Sequence, residues 1–401
     1  MKIAVIGGGP AGLYFAILSK RRFPEANIQV YEQNPKGATF GFGIVLADRG
    51  LGRMLRADAE SCEAILKSCY MTRNQLISHR GQSILVERDA FGGAISRVGL
   101  LRVLESFCIG LGIPLHYQIR VDDMARFADC DLVIGADGAN SAVREANKEA
   151  FGATSWNLTN RLVWCGTTRR FAQPILTFKT TEYGHFWAVG YPYSDCMSTL
   201  VGECDADAWV RSGMSNMSDE ERLEFTERIF ADELQGHALL SNKSIWRALP
   251  VTRNRNWYVG KFVLIGDALH SAHPSIGSGT RIAMEDAIDL AETLKHQEGY
   301  VPAALAEFEF VRRPSKQKIV GAAEQSFMWY EDVASKMDML EPVQLVFSYL
   351  TRTDRVDEKR LLQEFPQFMA KHRKQWVSYR AATKTEAEKL ARNVTPIAAK
   401  R

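Results

Sequence analysis

Long apolar runs are missing from this chain of 401 residues. No stretch approaches the roughly 18–20 uninterrupted apolar residues that a membrane-crossing helix needs, so no membrane span is expected. The opening MKIAVIGGG places a lysine before an apolar run, but the run is too short for a secretory signal and ends in glycine. The expected location is therefore cytoplasmic. Cysteine pairing is missing too: residues 62, 69, 108, 130, 165, 196 and 204 are odd in number and form no CxxC or CxxxxC pair. With no histidine cluster at zinc spacing either, neither a disulfide framework nor a metal site is expected, and the cysteines read as reduced core residues. A dominant charge is also absent, since 50 Lys+Arg stand against 47 Asp+Glu. That balance gives no reason to expect a nucleic-acid partner.

With 46% hydrophobic and 24% charged residues, and only 13 prolines, the composition excludes disorder and collagen-like repeats. The length exceeds what one hydrophobic core usually fills, so two closely packed domains with a helical tail are expected. Charge is unevenly spread, with 13 Lys+Arg against 6 Asp+Glu over 351–401. The simplest reading of that surplus is a solvated helical tail.

Lys2-Ile-Ala-Val-Ile6 has no polar interruption after Lys2, as a strand buried on both faces of a parallel sheet would. GGGPAG then opens a helix over 13–22, and 28–31 reads as a second strand, completing a βαβ unit. A helix is predicted over 97–111 and further strands over 115–119 and 131–134. Short aromatic and β-branched runs at 162–165, 175–178, 185–189 and 198–201 predict an antiparallel sheet, with a helix over 218–235 that starts on the capping-box pattern Ser218-Asp-Glu-Glu221. Lys261-Phe-Val-Leu-Ile-Gly266 returns to the buried parallel pattern, and helices follow from 280 onward. The expected fold class is α/β, a discontinuous Rossmann-like domain over 1–70, 95–155 and 256–330. A sheet domain over 71–94 and 156–255 is inserted into it, and a helical segment occupies 331–401.

Gly7-Gly8-Gly9-Pro10-Ala11-Gly12 satisfies G-x-G-x-x-G between a strand and a helix, and Glu32 follows twenty residues past Gly12. Gly7 permits the tight turn, Gly9 lets backbone approach a pyrophosphate, and Gly12 allows close helix packing. The helix N-terminus faces the phosphate charge, while Glu32 accepts from ribose hydroxyls. A dinucleotide is therefore the expected ligand.

Two further elements resemble the FAD-dependent aromatic hydroxylases: Gly266-Asp267-Ala-Leu-His270 with Pro274-Ser-Ile-Gly277-Ser-Gly279-Thr280, and Asp137-Gly138-Ala-Asn-Ser141-Ala-Val-Arg144. The likeness implies a GR2-type fold holding FAD non-covalently, with Asp267 on the ribityl chain and the helix after Gly279 facing the isoalloxazine. The turn at Asp137 and Gly138 is associated with both FAD and NAD(P)H. Within the family, Phe40–Leu46, Ile95–Arg97, Arg161–Thr167, Met197–Thr199, Gly236–Leu239 and Ser275–Thr280 look like the branch acting on salicylyl-CoA and 2-aminobenzoyl-CoA. The violacein-pathway tryptophan hydroxylase is a near relative by the same segments. The resemblance covers about residues 1–330. It departs from the wider family at Thr280-Arg281, where an Asn is usual, and no reductase segment follows, so no dearomatising reduction is implied. Motifs of the Baeyer–Villiger and halogenase branches are absent.

What the resemblance implies is hydroxylation of an electron-rich ring by a C4a-hydroperoxyflavin, with O₂ consumed and NAD(P)H binding transiently. Arg97 resembles the family's FAD-contacting arginine and Pro274 the proline that shapes the hydroperoxide pocket. His270 and the neighbouring His273 are candidates to lie near the ring. Trp164, His185, Trp187, Tyr191 and Tyr193 lie on strands that cover the flavin in this fold, and are candidates for the substrate wall. The expected substrate is an aryl-CoA thioester such as salicyloyl-CoA or anthraniloyl-CoA, with Arg169 and Arg170, or Lys371-His-Arg373-Lys374, meeting its phosphates. A free arene such as tryptophan, or a flavin reductase without hydroxylation, are the alternatives. A monomer or homodimer is expected.

Overall fold

Every residue after Lys2 in the first strand, Lys2–Ile6, is buried, as its apolar sequence requires when both faces of a sheet are covered. The computed structural model describes residues 1–38, 40–46, 51–88, 91–271 and 273–393. Lys2–Ile6 is flanked in parallel by Asn27–Tyr31 and Leu132–Gly135. Leu115–His116 and Phe262–Leu264 extend the parallel order outward, and Tyr258–Val259 closes one edge antiparallel. The strand expected over 115–119 stops at His116 because Gln118 turns the chain with φ +57°. Helices Pro10–Arg22 and Gly279–His296 pack against each other over this sheet.

The second sheet runs Leu239–Leu240, Arg161–Thr167, Ser198–Cys204, Gly184–Pro192, Ile175–Thr181, Gln75–His79, Gln82–Val86. It departs from the expected antiparallel pattern at one place: Gln75–His79 enters from an earlier part of the chain and pairs parallel with Ile175–Thr181. A small sheet of Gly43–Leu46, Gly92–Ser96 and Tyr70–Thr72 was not legible as strands. The helix expected over 218–235 is divided at Phe230 into Asp219–Ile229 and Ala231–Leu234, and its Ser218–Glu221 capping box forms.

The large sheet is covered on both faces. Helices over 206–234 pack on Val163, Cys165, Phe186 and Leu200. The C-terminal helices pack on Ile77, Phe178 and Trp187. The tail is therefore solvated only on its basic side: Trp376 and Tyr379 are buried against Phe347, whereas Lys371, Arg373 and Lys374 are exposed and Arg373 pairs with Glu358 at 3.0 Å. Residues 394–401 lie outside the described residues. Of the cysteines expected in the core, Cys196 is exposed, because the turn 193–197 carries it out of the sheet. Among the described residues no helix is long and apolar enough to cross a membrane.

Candidate active site

The glycine turn is built as its spacing demands. Gly7 holds φ +112°, and a Cβ there would lie 2.3 Å from the Ala136 carbonyl oxygen. A Cβ on Gly12 would lie 2.1 Å from the Gly7 carbonyl oxygen, so both positions exclude a side chain. Gly9 differs: a Cβ built there meets nothing within 4 Å. Its open side adjoins the start of helix Pro10–Arg22, whose N-cap, Gly9, offers no side-chain acceptor to the first-turn N–H groups. Glu32 closes the far side, where one carboxylate oxygen accepts from the Gly8 amide at 2.8 Å and the other from the Asn34 amide and side chain at 2.8 and 2.6 Å.

A second helix start converges on the same corner. Helix Gly279–His296, with Thr280 in its first turn, also lacks a side-chain cap. Gly266 stands between the two helices, since a Cβ on it would be 3.2 Å from both Ala11 Cβ and Ala283 Cβ. Two N-termini with unsatisfied N–H groups thus flank the Gly266–Asp267 turn, a ready site for anionic and carbonyl oxygens. Asp267 is exposed here, although it follows a buried strand. Arg97 begins helix Arg97–Gly110 beside this corner; burial pulls its guanidinium value down, and Asp267 and Glu32 act against that. The Arg97 guanidinium thus feels two carboxylates, Glu32 and Asp267.

Beneath the turn lies a buried charge network that sequence reasoning did not assign. The Asp286 carboxylate accepts from the Gly266 amide at 3.1 Å, from Lys316 Nζ at 2.5 Å and from Arg312 Nε at 2.9 Å. Arg312 also reaches Glu285 at 3.0 Å. Burial raises the Asp286 carboxyl, but the two cations more than offset it and hold it below the ordinary value. The signal was in helix Val301–Glu331: Arg312 and Lys316 continue the buried four-residue spacing of Ala304 and Phe308.

Asp137 and Gly138 sit across the corner. Asp137 Oδ2 accepts from the Ala142 amide at 2.7 Å, which caps the short helix Ala142–Ala146, while Oδ1 is buried without a partner. Burial raises its carboxyl. Gly138 turns in left-handed backbone with φ +82°. Arg144 joins this loop to the Asp267 turn by donating to Ala139 O at 2.6 Å and Ala268 O at 3.1 Å.

His270 and Pro274 come from the segment after Asp267. His270 follows the turn and is pushed down to about 3 by burial and the Lys316 charge. His273 is held at about 4 by burial and Arg352. Both rings are therefore neutral at pH 7, and neither has the value near 7 suited to a general acid or base. Pro274–Ile276 forms one 3₁₀ turn, closed by the Gly277 amide on Pro274 O at 2.9 Å.

The sheet residues separate into two groups. His185 lies away from the turn, bridging Asp205 at 3.2 Å and Asp338 at 2.9 Å. Trp187 is fully buried against Tyr330 at a ring separation of 6.2 Å. Tyr191 donates to the Gly43 carbonyl at 2.8 Å, and the Tyr193 ring covers Gly43. Trp164 belongs elsewhere: the pairing register places it beside Val201, and Val201 beside Val189. All three are half-buried, and Trp164 Nε1 has no partner. The Pro274–Gly277 turn is approached from two sides: a Cβ on Gly277 would lie 4.0 Å from Val45 Cβ, and the Tyr330 ring stands between His273 and Trp187 at 6.4 and 6.2 Å. Arg169 is half-buried with an unpartnered Nε, and exposed Arg170 reaches Tyr70 Oη at 2.8 Å and Asp195 at 3.9 Å.

Comparison with known proteins addresses the same corner. Residues 116–323 match the family described as FAD binding domain. A salicyloyl-CoA 5-hydroxylase from a Streptomyces species is 38% identical over 366 residues, covering 88% of this chain and 70% of that protein. Protodeoxyviolaceinate monooxygenase from Chromobacterium violaceum is 33% identical over 343 residues, covering 84% of this chain and 91% of that protein. The solved 2-methyl-3-hydroxypyridine-5-carboxylic acid oxygenase shares the fold at TM-score 0.68 and 21% identity, covering 88% of this chain and 95% of its own. A corner shaped for a flavin dinucleotide, in a chain similar over most of its length to monooxygenases, makes this protein a member of the FAD-dependent aromatic hydroxylase family.

Proposed function

We propose that this monooxygenase hydroxylates the electron-rich ring of an aryl-CoA thioester such as salicyloyl-CoA or anthraniloyl-CoA. FAD, reduced by NAD(P)H, supplies the electrons and activates O₂. The residues of this chain bind and orient. Gly9 and the two uncapped helix starts receive the pyrophosphate and the flavin carbonyl side, Glu32 reads the ribose, and Arg97 and Asp267 hold the chain between them. Asp137 and Gly138 form the opposite wall. Pro274, Gly277, Gly279 and Thr280 would border the ring system of bound FAD and exclude water, because a wet site loses activated oxygen without hydroxylating substrate.

The observation that carries the reading is the half-buried row Trp164, Val201 and Val189, spanning three adjacent strands of the large sheet. Trp164 Nε1 could donate to a substituent of an aromatic ring laid on this row. The substrate's own OH or NH₂ makes the ring nucleophilic, which suits a site whose histidines are held neutral. Arg169 and Arg170 follow the same strand and would meet the CoA phosphates as it leaves the pocket.

Substrate-dependent NAD(P)H oxidation with O₂ uptake, measured across salicyloyl-CoA, anthraniloyl-CoA, benzoyl-CoA and the free acids, tests this. A hydroxylated thioester product is expected. Charge reversal at Arg169 and Arg170 should raise KM with little change in kcat, since the phosphates are held alike in ground and transition states. Turnover of a free arene as efficiently as its thioester, with KM indifferent to charge reversal, would overturn the thioester assignment.

A further inference from the structure

The Pro274–Ile276 turn is held from behind by a residue that the proposed reaction leaves unused. Arg352 follows helix Pro342–Thr351, and its guanidinium meets three neutral acceptors. Nη2 donates to the Ser275 carbonyl at 2.7 Å, Nε to the Ser326 hydroxyl at 3.0 Å and Nη1 to the Tyr349 carbonyl at 2.7 Å. Its Cζ lies 4.0 Å from the centre of the Tyr349 ring. Ser326 in turn donates to the Ser275 hydroxyl at 2.8 Å. Backbone and side chain of Ser275 are thus both fixed by Arg352, one directly and one through a single relay. A planar fork with several donors can satisfy such diverging acceptors together while stacking on a ring; an ammonium on a flexible stem cannot do both.

The arrangement is specific to this turn. Within itself the turn is held by the Gly277 amide on Pro274 O at 2.9 Å and by the Ser275 amide on His273 Nδ1 at 3.1 Å, and Gly277 sits in left-handed backbone at φ +58°. Both bonds are local and fix the turn's internal shape, not where it sits, so its position is set by what grips Ser275 from outside. That grip comes from the C-terminal helices, which otherwise serve to cover the large sheet.

We propose that Arg352 is a positioning residue: through Ser275 it sets the pose of the Pro274–Gly277 turn against the flavin ring. The inference rests on the placement of that turn beside the flavin.

The test uses the full chain saturated with FAD, reading the visible spectrum of the bound flavin and its reduction equilibrium against a reference dye. Four variants are compared: Arg352→Met, Arg352→Lys, Pro274→Ala and, as a control that loosens the same helices away from the turn, Trp376→Leu. Arg352→Met and Pro274→Ala should each shift the flavin spectrum and move the dye equilibrium severalfold. Arg352→Lys, keeping the charge and one donor to Ser275, should recover part of the shift. Trp376→Leu should lower Tm and leave both flavin readings at wild type. If Pro274→Ala perturbs the flavin while Arg352→Met only lowers Tm, the positioning role is refuted and the turn's placement stands. If both variants leave the flavin unchanged, the placement fails and the inference with it. Should Arg352→Met not fold, Ser326→Ala, which removes only the relay, must give a smaller shift in the same direction; no shift there refutes the proposal.

Discussion

Replacing Glu203 by Gln should stabilise the protein at neutral pH and do nothing in acid. Glu203 lies on the inner face of the large sheet beside Trp187 and is 7% exposed. Burial pushes its carboxyl up to about 8 from an ordinary 4.5, so the native protein carries it protonated at pH 7. In the unfolded chain the same group is ionised. A folded value raised above the unfolded one means that its contribution to stability is fully present below pH 4.5 and is lost as pH rises through about 8. At roughly 1.4 kcal/mol per pH unit, holding the proton at pH 7 costs about 3 kcal/mol. Glutamine is neutral in both states and keeps the acceptor that Asn160 Nδ2 reaches at 3.4 Å, so it removes the cost without opening a cavity. Urea unfolding of Glu203→Gln and wild type at a series of pH values should give midpoints that coincide near pH 4.5 and diverge steadily toward pH 8, the variant being more stable. Parallel curves across that range would show that Glu203 ionises normally and that the reasoning from burial is wrong.

Gly12→Ala should abolish FAD retention and lower Tm by several degrees, because its Cβ would meet the Gly7 carbonyl oxygen at 2.1 Å with Val5 Cγ1 and Ala136 Cβ also crowding it at 3.0 and 3.2 Å; calorimetry and the yellow colour of the purified protein check this. Asp267→Ala should weaken FAD binding about tenfold or more, the worth of a hydrogen bond to a charged group, and a titration of apoprotein with FAD giving an unchanged Kd would remove Asp267 from the site. The two buried histidines act in the opposite sense to Glu203. With values depressed to about 4 and about 3, they contribute stability above their unfolded value of 6.5 that is lost as pH falls toward those values. A variant with both His270 and His273 replaced by Gln should therefore unfold less steeply with acid between pH 6.5 and 4, and an acid slope equal to wild type would count against their burial.

What local chemistry can encode was legible along the chain. An apolar run ending at Ile6, glycines at 7, 9 and 12 and an acid at 32 specify a βαβ unit because Gly12 answers a contact with Gly7 inside the same short stretch, although the contact that demands Gly7 comes from distant Ala136. The Ser218–Glu221 capping box was readable for the same reason. The fate of the aromatic strands was not readable, since period-two alternation puts Trp187, Val189 and Tyr191 on one face without saying what covers each. Folding buried Trp187 under Tyr330, set Tyr191 to hold Gly43, drew His185 off to Asp205 and Asp338, and left Trp164, Val189 and Val201 half-buried. The partners of Asp286, Lys316 and Ser275 likewise come from residues 20 to 77 positions away in the chain. Periodicity marks Arg312 and Lys316 as buried cations, but which carboxylate neutralises them, and which amide that carboxylate then holds, is fixed by how helix Val301–Glu331 crosses helix Gly279–His296, a matter of packing that no local pattern contains.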